Sequence, residues 1–447
     1  MRKLFGTDGI RGIAGEFLTY SLAESLGYAL GKILKEENIT EPKILIGTDT
    51  RESRTFLKEA IAKGLSRTDA ASYDTGVVST PAVAYLTKKH GFNAGVMISA
   101  SHNSYEYNGI KIFGSDGFKL TDEEEERIEE IMFSEQTPET EVNINLIPSL
   151  SLKDEYSEYL KSQIAFDLSG IRAVVDCANG SAYSTAKEVF DSAGLNAEYI
   201  GCDPDGININ RDCGSTHLAL LKEKVLECGA DIVIAVHGDV DRFLAIDKGG
   251  NEIDGDYVLA ILSLAMRERG KLNSDTVVGT VMSNYGFTKF AKDNSLNFVA
   301  TKVGDRYVLE EMEKMNYSLG GEQSGHVIIR EVATTGDGQL TAIYLLNRLA
   351  ETKKSLSELA SVMKKYPQHM VNVHADSDGK RAFKEDEKIK AIIEDAEREL
   401  GTTGRILVRP SGTEPVVRIM VESMDPEMTV SLCERVANSI KDILASK

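Results

Sequence analysis

A serine and two aspartates stand just beyond two apolar runs, and these residue types in this pattern favour phosphoryl transfer. Ser101 follows the apolar run 95–98, and Asp239 and Asp241 follow the run 232–236. The serine offers a nucleophilic hydroxyl. Alternate residues of an extended loop point the same way, so the two carboxylates can hold one divalent cation. The sequence therefore predicts a phosphoserine with a metal ion beside it.

The neighbours of these residues can assist the same chemistry. Lys111 and His102 are candidates for moving protons near Ser101, and Arg242 can pair with a phosphate. His237 opens the acidic loop. Structural alternatives stay open, because a serine after a strand often caps a helix and an acidic loop can be a turn. An acid pair directly after a buried strand is costly unless something neutralises it, which favours the cation site.

A glycine-rich loop at 320–326 carries side chains suited to a sugar. Its glycines let the backbone approach a ligand, and Glu322 and Ser324 suit sugar hydroxyls. His326 can act as an acid or base near neutral pH. An ordinary glycine-rich turn is the alternative for this segment.

The segment 409–415 combines a guanidinium, hydroxyls and free amides, as a phosphate cradle would. Its alternative is a proline-bounded hairpin loop. A similar segment at 6–12 contains Arg11, a second candidate phosphate partner. The candidate phosphate ligands of the C-terminal segment are Arg409, Ser411, Gly412, Thr413 and Arg418.

Composition bounds the class of protein. The chain has 447 residues, enough for about three domains, and a net charge of −19 argues against generic nucleic-acid binding. The five cysteines form no CxxC pair, so neither a zinc site nor a disulfide framework is indicated. The N-terminus lacks the apolar core of a signal peptide, and no apolar stretch is long enough to span a membrane. We expect a cytoplasmic protein without membrane insertion.

Hydrophobic periodicity predicts alternating helices and strands, which is typical of α/β layers, with a more α+β tail after Pro367. The helix over 21–37 is expected to begin with a capping box of Ser21 and Glu24, and Thr121 to start a further helix. The patternless segment 134–150 predicts a linker. Further helices are expected at 55–65, 255–267 and 426–445, and strands at 43–46, 277–281 and 416–421.

Motifs spanning nearly the whole chain resemble those of the α-D-phosphohexomutases. SASHN and GEQSGH favour the glucosamine branch of that family over the glucose and mannose branches. In chain order, the matching motifs are FGTDGIRG (5–12), SASHN (99–103), NGIK (108–111), DCANG (176–180), DGININ (205–210), CGSTH (213–217), TKVGDRYVLEEM (301–312), GGEQSGH (320–326), TGDG (335–338) and RPSGTEP (409–415).

The resemblance implies three related α/β domains plus a smaller C-terminal α+β domain around a central cleft. The predicted domains are a phosphoserine-loop domain at 1–150, a metal-loop domain at 151–253, a sugar-binding domain at 254–366 and a phosphate-binding domain at 367–447. It also implies interconversion of glucosamine 6-phosphate and glucosamine 1-phosphate through glucosamine 1,6-bisphosphate, which feeds UDP-N-acetylglucosamine synthesis for cell-wall precursors.

The family pattern also implies a role for each matching residue. Ser101 would carry the phosphoryl group and, with Asp239 and Asp241, bind Mg²⁺. The remaining implied roles are proton transfer for Lys111 and His326, support of the reacting phosphate for Arg11, a place beside the metal loop for Arg242, sugar binding for Glu322 and Ser324, and binding of the non-reacting phosphate for 409–413.

Two residues depart from the family pattern. His237 replaces the first Asp of the metal loop, so Mg²⁺ is expected to bind less well, and Mn²⁺ or Zn²⁺ relatively better. Ser104 replaces a usual proline. Two alternatives stay open: a phosphoglucomutase or phosphomannomutase, and a paralogue with a weakened metal site and a regulatory binding role. The resemblance leaves open a homodimer and a diadenylate cyclase as partners beside the small sugar phosphate.

Overall fold

A computed structural model of the chain describes residues 4–6, 8–411 and 414–445. The chain divides into two compact units. One unit comprises the described residues of Met1–Met282 together with Leu296–Val362, and the other those of Ser283–Ser295 and Met363–Lys447. No helix within the described ranges is both long and apolar enough to cross a membrane.

The first domain is built on a six-stranded sheet with the order β1-β5-β4-β2-β3-β6. Strands β2, β3, β4 and β6 run parallel, whereas β5 is antiparallel to β4 and β1. Its elements are β1 (Ile10–Ile13), α1 (Tyr20–Glu36), β2 (Lys43–Thr48), α2 (Arg54–Ser66), β3 (Ala71–Val77), α3 (Thr80–His90), β4 (Ala94–Ile98), β5 (Tyr107–Gly114), α4 (Asp122–Ser134) and β6 (Leu146–Pro148).

Local expectations for this domain are met with two corrections. The apolar periodicity correctly predicted α1, and the segment 121–124 correctly predicted the start of α4, where Thr121 and Glu124 form a capping box. The cap of α1 is Thr19, whose side chain accepts from the Leu22 N–H, so the expected cap at Ser21 is wrong. The expected linker at 134–150 contains strand β6. This strand is only three residues long, too short for an alternating apolar pattern to predict it.

The second domain has a five-stranded sheet with the order β11-β10-β9-β7-β8. Strand β7 runs parallel to β8 and β9, and β10 pairs antiparallel with β9. Beside a short 3₁₀ turn, the elements are α5 (Leu152–Ser162), β7 (Arg172–Asp176), α6 (Ala186–Asp191), β8 (Asn196–Ile200), α7 (Leu218–Cys228), β9 (Ile232–Val236), β10 (Phe243–Asp247) and β11 (Glu252–Ile253).

The third domain has a four-stranded sheet with the order β13-β12-β14-β15, in which β14 and β15 form an antiparallel hairpin. Helix α9, within Ser283–Ser295, belongs to the same compact unit as the C-terminal residues. The elements are α8 (Gly255–Glu268), β12 (Thr276–Thr280), α9 (Tyr285–Asp293), β13 (Asn297–Thr301), α10 (Asp305–Met315), β14 (Leu319–Gly321), β15 (Val327–Ile329), α11 (Gly338–Thr352) and α12 (Leu356–Ala360).

The C-terminal residues form a three-stranded antiparallel sheet with the order β16-β18-β17. Two helices stand between β16 and β17. The elements are β16 (Gln368–His374), α13 (Ser377–Glu385), α14 (Glu387–Leu400), β17 (Gly404–Pro410), β18 (Val416–Ser423) and α15 (Pro426–Ala445).

The first three sheets share one feature that positions the candidate site. Each contains parallel strands followed by one antiparallel partner, and the turn into that partner carries a predicted functional loop. These loops connect β4 to β5, β9 to β10 and β14 to β15. Three α/β domains and a smaller α+β domain are the predicted fold class, which is confirmed.

Candidate active site

The loop after β4 presents Ser101 in a left-handed backbone conformation, with φ at +54°. Non-glycine residues occupy this region only where surrounding contacts offset the strain. The Ser101 N–H donates to Ser99 Oγ at 2.9 Å, and its carbonyl accepts from Asn210 Nδ2 at 2.8 Å. Buried Arg51 donates from Nη2 to the same carbonyl at 3.3 Å. The first and second domains therefore both hold this residue.

The loop between β9 and β10 brings three candidate metal ligands to the Ser101 hydroxyl. One ligand atom each from His237, Asp239 and Asp241 lies within 4.8 Å of the others, and all three residues are buried. Ser101 Oγ lies 3.2 Å from Asp241 Oδ1 and 3.3 Å from His237 Nδ1. The hydroxyl and the candidate ligands thus share one small volume.

Asp239 provides the test of whether these residues fit a cation. Its Oδ2 accepts from Thr80 Oγ1 at 2.7 Å and from Lys111 Nζ at 2.8 Å. Its Oδ1 is buried and has no hydrogen-bond partner among the residues that the structure describes. An unpaired buried oxygen is costly, and a hard cation would satisfy it. The donor set therefore fits a divalent metal.

Lys111 on β5 faces the metal loop as a buried cation. Its Nζ lies 3.1 Å from Asp8 Oδ2 and 3.5 Å from Asp241 Oδ2, in addition to its bond to Asp239. Burial alone would lower the pKa of Lys111, but Asp239, Asp8 and Asp241 raise it well above its ordinary value. Lys111 is therefore charged in this arrangement.

A second lysine, largely buried, continues the alternation of charges. Lys119 pairs with Asp8, and its Nζ lies 2.5 Å from Asp305 Oδ2. Arg11 on β1 also pairs with Asp8. Burial would raise the pKa of Asp8, but Lys111, Lys119 and Arg11 hold it well below its usual range. The chain of opposite charges connects the N-terminal motif to the start of α10.

His326 lies at the end of the loop between β14 and β15. Its Nε2 accepts the Gly336 N–H at 3.0 Å, which assigns the proton of the neutral imidazole to Nδ1. Nδ1 lies 3.9 Å from Asp241 Oδ2, and Nε2 lies 3.6 Å from Asp305 Oδ2. A Cβ at Gly336 would come within 2.6 Å of the His326 ring, so the close approach requires glycine.

Glu322 in the same loop is largely buried and joins two other loops. Its Oε1 accepts from the Gly304 N–H at 3.2 Å, and Ser324 Oγ lies 3.5 Å from its Oε2. Arg242 Nη2 lies 3.8 Å from Glu322 Oε2. Burial would lower the pKa of Arg242, but Asp241 and Glu322 raise it. Arg242 thus connects the metal loop to the predicted sugar loop.

The imidazole of His102, the residue after Ser101, lies close to that of His237. Burial first, and then His237, lower the pKa of His102 to about 4. The two imidazole rings lie 5.4 Å apart between centroids. His102 is therefore neutral at pH 7 and stays a candidate proton acceptor beside His326 and Lys111.

The C-terminal loop has its own concentration of positive charge. Arg409 and Arg418 face each other on β17 and β18, and burial together with Arg418 lowers the pKa of Arg409. Like charges directly opposite repel, so an anion is favoured there. Ser411 is buried at the end of β17. The predicted ligands Gly412 and Thr413 lie outside the described residues.

Sequence reasoning overlooked several residues that shape the site. Three of them had a signal, because Asp8 stands in FGTDGIRG, Asn210 in DGININ and Asp305 in TKVGDRYVLEEM, yet none received a role. Thr80 and Lys119 stand in no motif, and only their contacts across domains identify them. The overlooked residues are Asp8, Thr80, Lys119, Asn210 and Asp305.

Four domain models of one family match the chain. They are described as phosphoglucomutase/phosphomannomutase alpha/beta/alpha domain I at residues 2–139, domain II at 154–250 and domain III at 254–366, and the C-terminal domain at 370–439. Each match falls inside one predicted domain.

Curated relatives and solved structures match over almost the full length. A phosphoglucosamine mutase from Caldicellulosiruptor bescii is 47% identical and covers 100% of both chains. One from Streptomyces avermitilis is 48% identical, covering 99% of this chain and 100% of its own. A phosphoglucomutase/phosphomannomutase family protein from Burkholderia thailandensis has the same fold, with a TM-score of 0.82 at 22% identity, covering 99% of this chain and 98% of its own.

Proposed function

Because the chain belongs to the phosphoglucomutase/phosphomannomutase family, we propose that it interconverts glucosamine 6-phosphate and glucosamine 1-phosphate through a phosphoserine at Ser101. Relatives named phosphoglucosamine mutase at 47% and 48% identity over essentially the whole chain support the amino sugar as substrate. They do not favour the alternatives of a glucose or mannose phosphate mutase, or of a paralogue with a regulatory role. The enzyme is an isomerase that acts by phosphoryl transfer.

One observation carries this proposal. Ser101 Oγ lies within 3.3 Å of two candidate metal ligands, His237 and Asp241. The third, Asp239, presents a buried oxygen without a partner among the described residues. A phosphoryl group on Ser101 would therefore sit beside a cation site, where charge developing during transfer is stabilised.

The reaction proceeds by two transfers of opposite direction. First, the bond between phosphorus and Ser101 Oγ breaks while a sugar hydroxyl forms a new bond to phosphorus, which gives glucosamine 1,6-bisphosphate. After the sugar turns end for end, its other phosphoryl group returns to Ser101 Oγ. Each transfer releases a proton at the attacking oxygen and consumes one at the leaving oxygen, so the proton balance closes within the site.

Two residues handle charge during each transfer. Neutral His326 takes the proton of the attacking hydroxyl and becomes imidazolium, protonated Lys111 gives a proton to the leaving oxygen, and the return transfer reverses both steps. Lys111, kept protonated by its three acidic neighbours, holds negative charge on the transferring group. Arg11, beside Lys111 through Asp8, supports the reacting phosphate.

The family uses a metal ion, and the residues that would hold it are Ser101, His237, Asp239 and Asp241. When bound, the ion supplies positive charge next to the transferring phosphoryl group. We propose Mg²⁺ as the ion. Because His237 contributes a neutral nitrogen in place of a carboxylate, Mg²⁺ binds less tightly, and Mn²⁺ or Zn²⁺ gains relative to it.

The remaining predicted ligands are assigned to sugar hydroxyls and to a phosphate. Glu322 and Ser324 hold sugar hydroxyls beside Arg242. Arg409, Ser411 and Arg418, with the loop 412–413, hold the phosphate that is not reacting. A substrate that reacts at both ends needs this second phosphate site, which a simple phosphatase would not.

The proposal is tested by comparing Ser101→Ala with Ser104→Ala, an exposed serine of the same loop. Purified wild-type protein should convert glucosamine 6-phosphate faster than glucose or mannose 6-phosphate, followed by ³¹P NMR with catalytic bisphosphate. Ser101→Ala should show no turnover, and its intact mass should not increase by one phosphoryl group after incubation with bisphosphate. Ser104→Ala should retain both the turnover and the mass increase. Turnover that survives Ser101→Ala would disprove the phosphoserine.

Further properties follow from the same proposal. The substrate partner is a small sugar phosphate, and the cytoplasm stays the predicted location. A homodimer and binding to a diadenylate cyclase also stay predictions. Light scattering on the purified protein measures the first, and co-purification with the cyclase measures the second.

A further inference from the structure

We propose that Asp305 is a specificity-determining residue that binds the ammonium group at C2 of the amino sugar, a role that rests on the proposed function. The segment that contains it, TKVGDRYVLEEM, was singled out in the sequence without any assigned task. Asp305 is the first residue of α10.

Asp305 offers a carboxylate oxygen that other groups of the site leave available. Five carboxylates surround the site, and four of them have both oxygens engaged by neighbours or by the candidate cation position. Within the described residues, Asp305 Oδ2 accepts from Lys119 Nζ at 2.5 Å and lies 3.6 Å from His326 Nε2, while no hydrogen bond involves its Oδ1. Its side chain is 14% exposed, so a ligand can reach it. The other four carboxylates are Asp8, Asp239, Asp241 and Glu322.

The position of Asp305 places that oxygen between the predicted sugar and proton-transfer groups. The preceding residue, Gly304, donates its N–H to Glu322 Oε1 at 3.2 Å. The Asp305 carboxylate itself lies 3.6 Å from His326 Nε2. A sugar bound by Glu322 and reacting beside His326 therefore passes directly in front of Asp305.

The charge of the site explains why an amino sugar needs such a residue. Buried or half-buried cations, suited to phosphate, also repel a substrate ammonium. Burial raises the pKa of Asp305, but the positive charge of Lys119 beside it brings the pKa below its ordinary value, so the carboxylate is ionised at neutral pH. A neutral hydroxyl at C2, as in glucose, would gain much less from this carboxylate than an ammonium does. The cations of the site are Arg11, Lys111, Lys119 and Arg242.

Arg306 fixes Asp305 in this place. Its Nη2 donates to Glu125 Oε1 at 2.7 Å and to the Leu120 carbonyl at 3.0 Å, and its Nη1 pairs with Asp122. These contacts tie the start of α10 to α4 of the first domain. A carboxylate held in advance loses little conformational entropy when it binds a ligand, which strengthens discrimination.

The test compares two substrates with three variants. The ratio of kcat/KM for glucosamine 6-phosphate to that for glucose 6-phosphate is measured for wild type and Asp305→Asn. We expect the ratio to fall by about tenfold or more, as for loss of a charged contact to one substrate only. Asp305→Glu keeps the charge and should retain a ratio well above that of Asp305→Asn. Glu310→Gln, an exposed acid on the same helix, should leave the ratio unchanged.

Each outcome decides the matter. A ratio that is equal in wild type and Asp305→Asn, with both activities reduced together, overturns the proposal and makes Asp305 a positioning residue for His326 and Lys119. If Asp305→Asn does not fold, Asp305→Glu takes its place. A kcat/KM ratio below one for Asp305→Glu, which means a preference for glucose 6-phosphate, would also overturn the proposal. A wild-type enzyme without preference for glucosamine 6-phosphate would instead refute the proposed function itself.

Discussion

Replacing His237 by aspartate should strengthen metal binding, because it adds a negative charge to the candidate metal site. His237 Nδ1 lies 3.5 Å from Asp241 Oδ1, and all three candidate ligands are buried. The substitution His237→Asp thus adds a carboxylate next to two others. It exchanges a neutral nitrogen ligand for the hard oxygen that Mg²⁺ prefers.

The geometry gives the size of the effect. Two unit charges about 3.5 Å apart interact by roughly 5 kcal/mol at an effective dielectric constant near 20. The new carboxylate is attracted to a divalent ion by about twice this amount, but repulsion by Asp241 raises its own pKa in the metal-free site, so release of a proton offsets part of the gain. Desolvation and the lost nitrogen ligand remove part of the difference. A net gain of about 2–3 kcal/mol remains, which is about 30- to 150-fold in the dissociation constant for Mg²⁺.

Isothermal titration of Mg²⁺ into dephosphorylated, chelator-treated protein measures this constant without relying on activity. Electron paramagnetic resonance measures the dissociation constant for Mn²⁺. The ratio of the Mg²⁺ constant to the Mn²⁺ constant should be smaller in His237→Asp than in wild type. His374→Asp is the matched control, because the same substitution occurs on an exposed strand position. Equal Mg²⁺ affinity in wild type and His237→Asp would show that residue 237 does not contact the ion.

Two further substitutions test the surroundings of the site. Burial raises the pKa of Asp337 to about 6, above its value in the unfolded chain, so the folded state binds the extra proton and wild-type stability falls as pH rises from about 4 to 6. Asp337→Asn keeps the helix cap, so its free energy of unfolding should rise by up to roughly 3 kcal/mol relative to wild type over this pH range. Urea unfolding at several pH values measures this difference. A difference that does not change with pH would contradict the prediction. Gly336→Ala should displace His326, because the new Cβ would lie within 2.6 Å of its ring, and kcat should fall by about 100-fold or more. Gly170→Ala is the control, since a Cβ there meets nothing within 4 Å. Equal rates in the two variants would refute the reasoning.

Much of the local structure could be predicted from the sequence. The spacing of Leu22, Leu26 and Leu30 predicted α1, and Thr121 with Glu124 predicted the start of α4. Such patterns report neighbours within one or two turns, which the chain itself brings together. Strand β6 and the cap at Thr19 escaped because a short edge strand and competing hydroxyl residues leave only weak local signals.

In the candidate site too, contacts between residues close in sequence could be predicted, and contacts between distant residues could not. The spacing of Asp239 and Asp241 already predicted one cation between two carboxylates, because both belong to one loop. The contact of Thr80 with Asp239, separated by 159 residues, had no sequence signal.

Patterns along the chain predicted most of the elements, the loops that carry the reacting groups, and the family to which they correspond. Which charges meet, such as Lys119 with Asp8 and Asp305, depends on the three-dimensional packing. The reason is that periodicity and capping are set by neighbours along the chain, whereas charges on separate domains meet only where sheet order and packing place their strands and helices. The unpaired oxygen of Asp239 and the available oxygen of Asp305 are products of that packing.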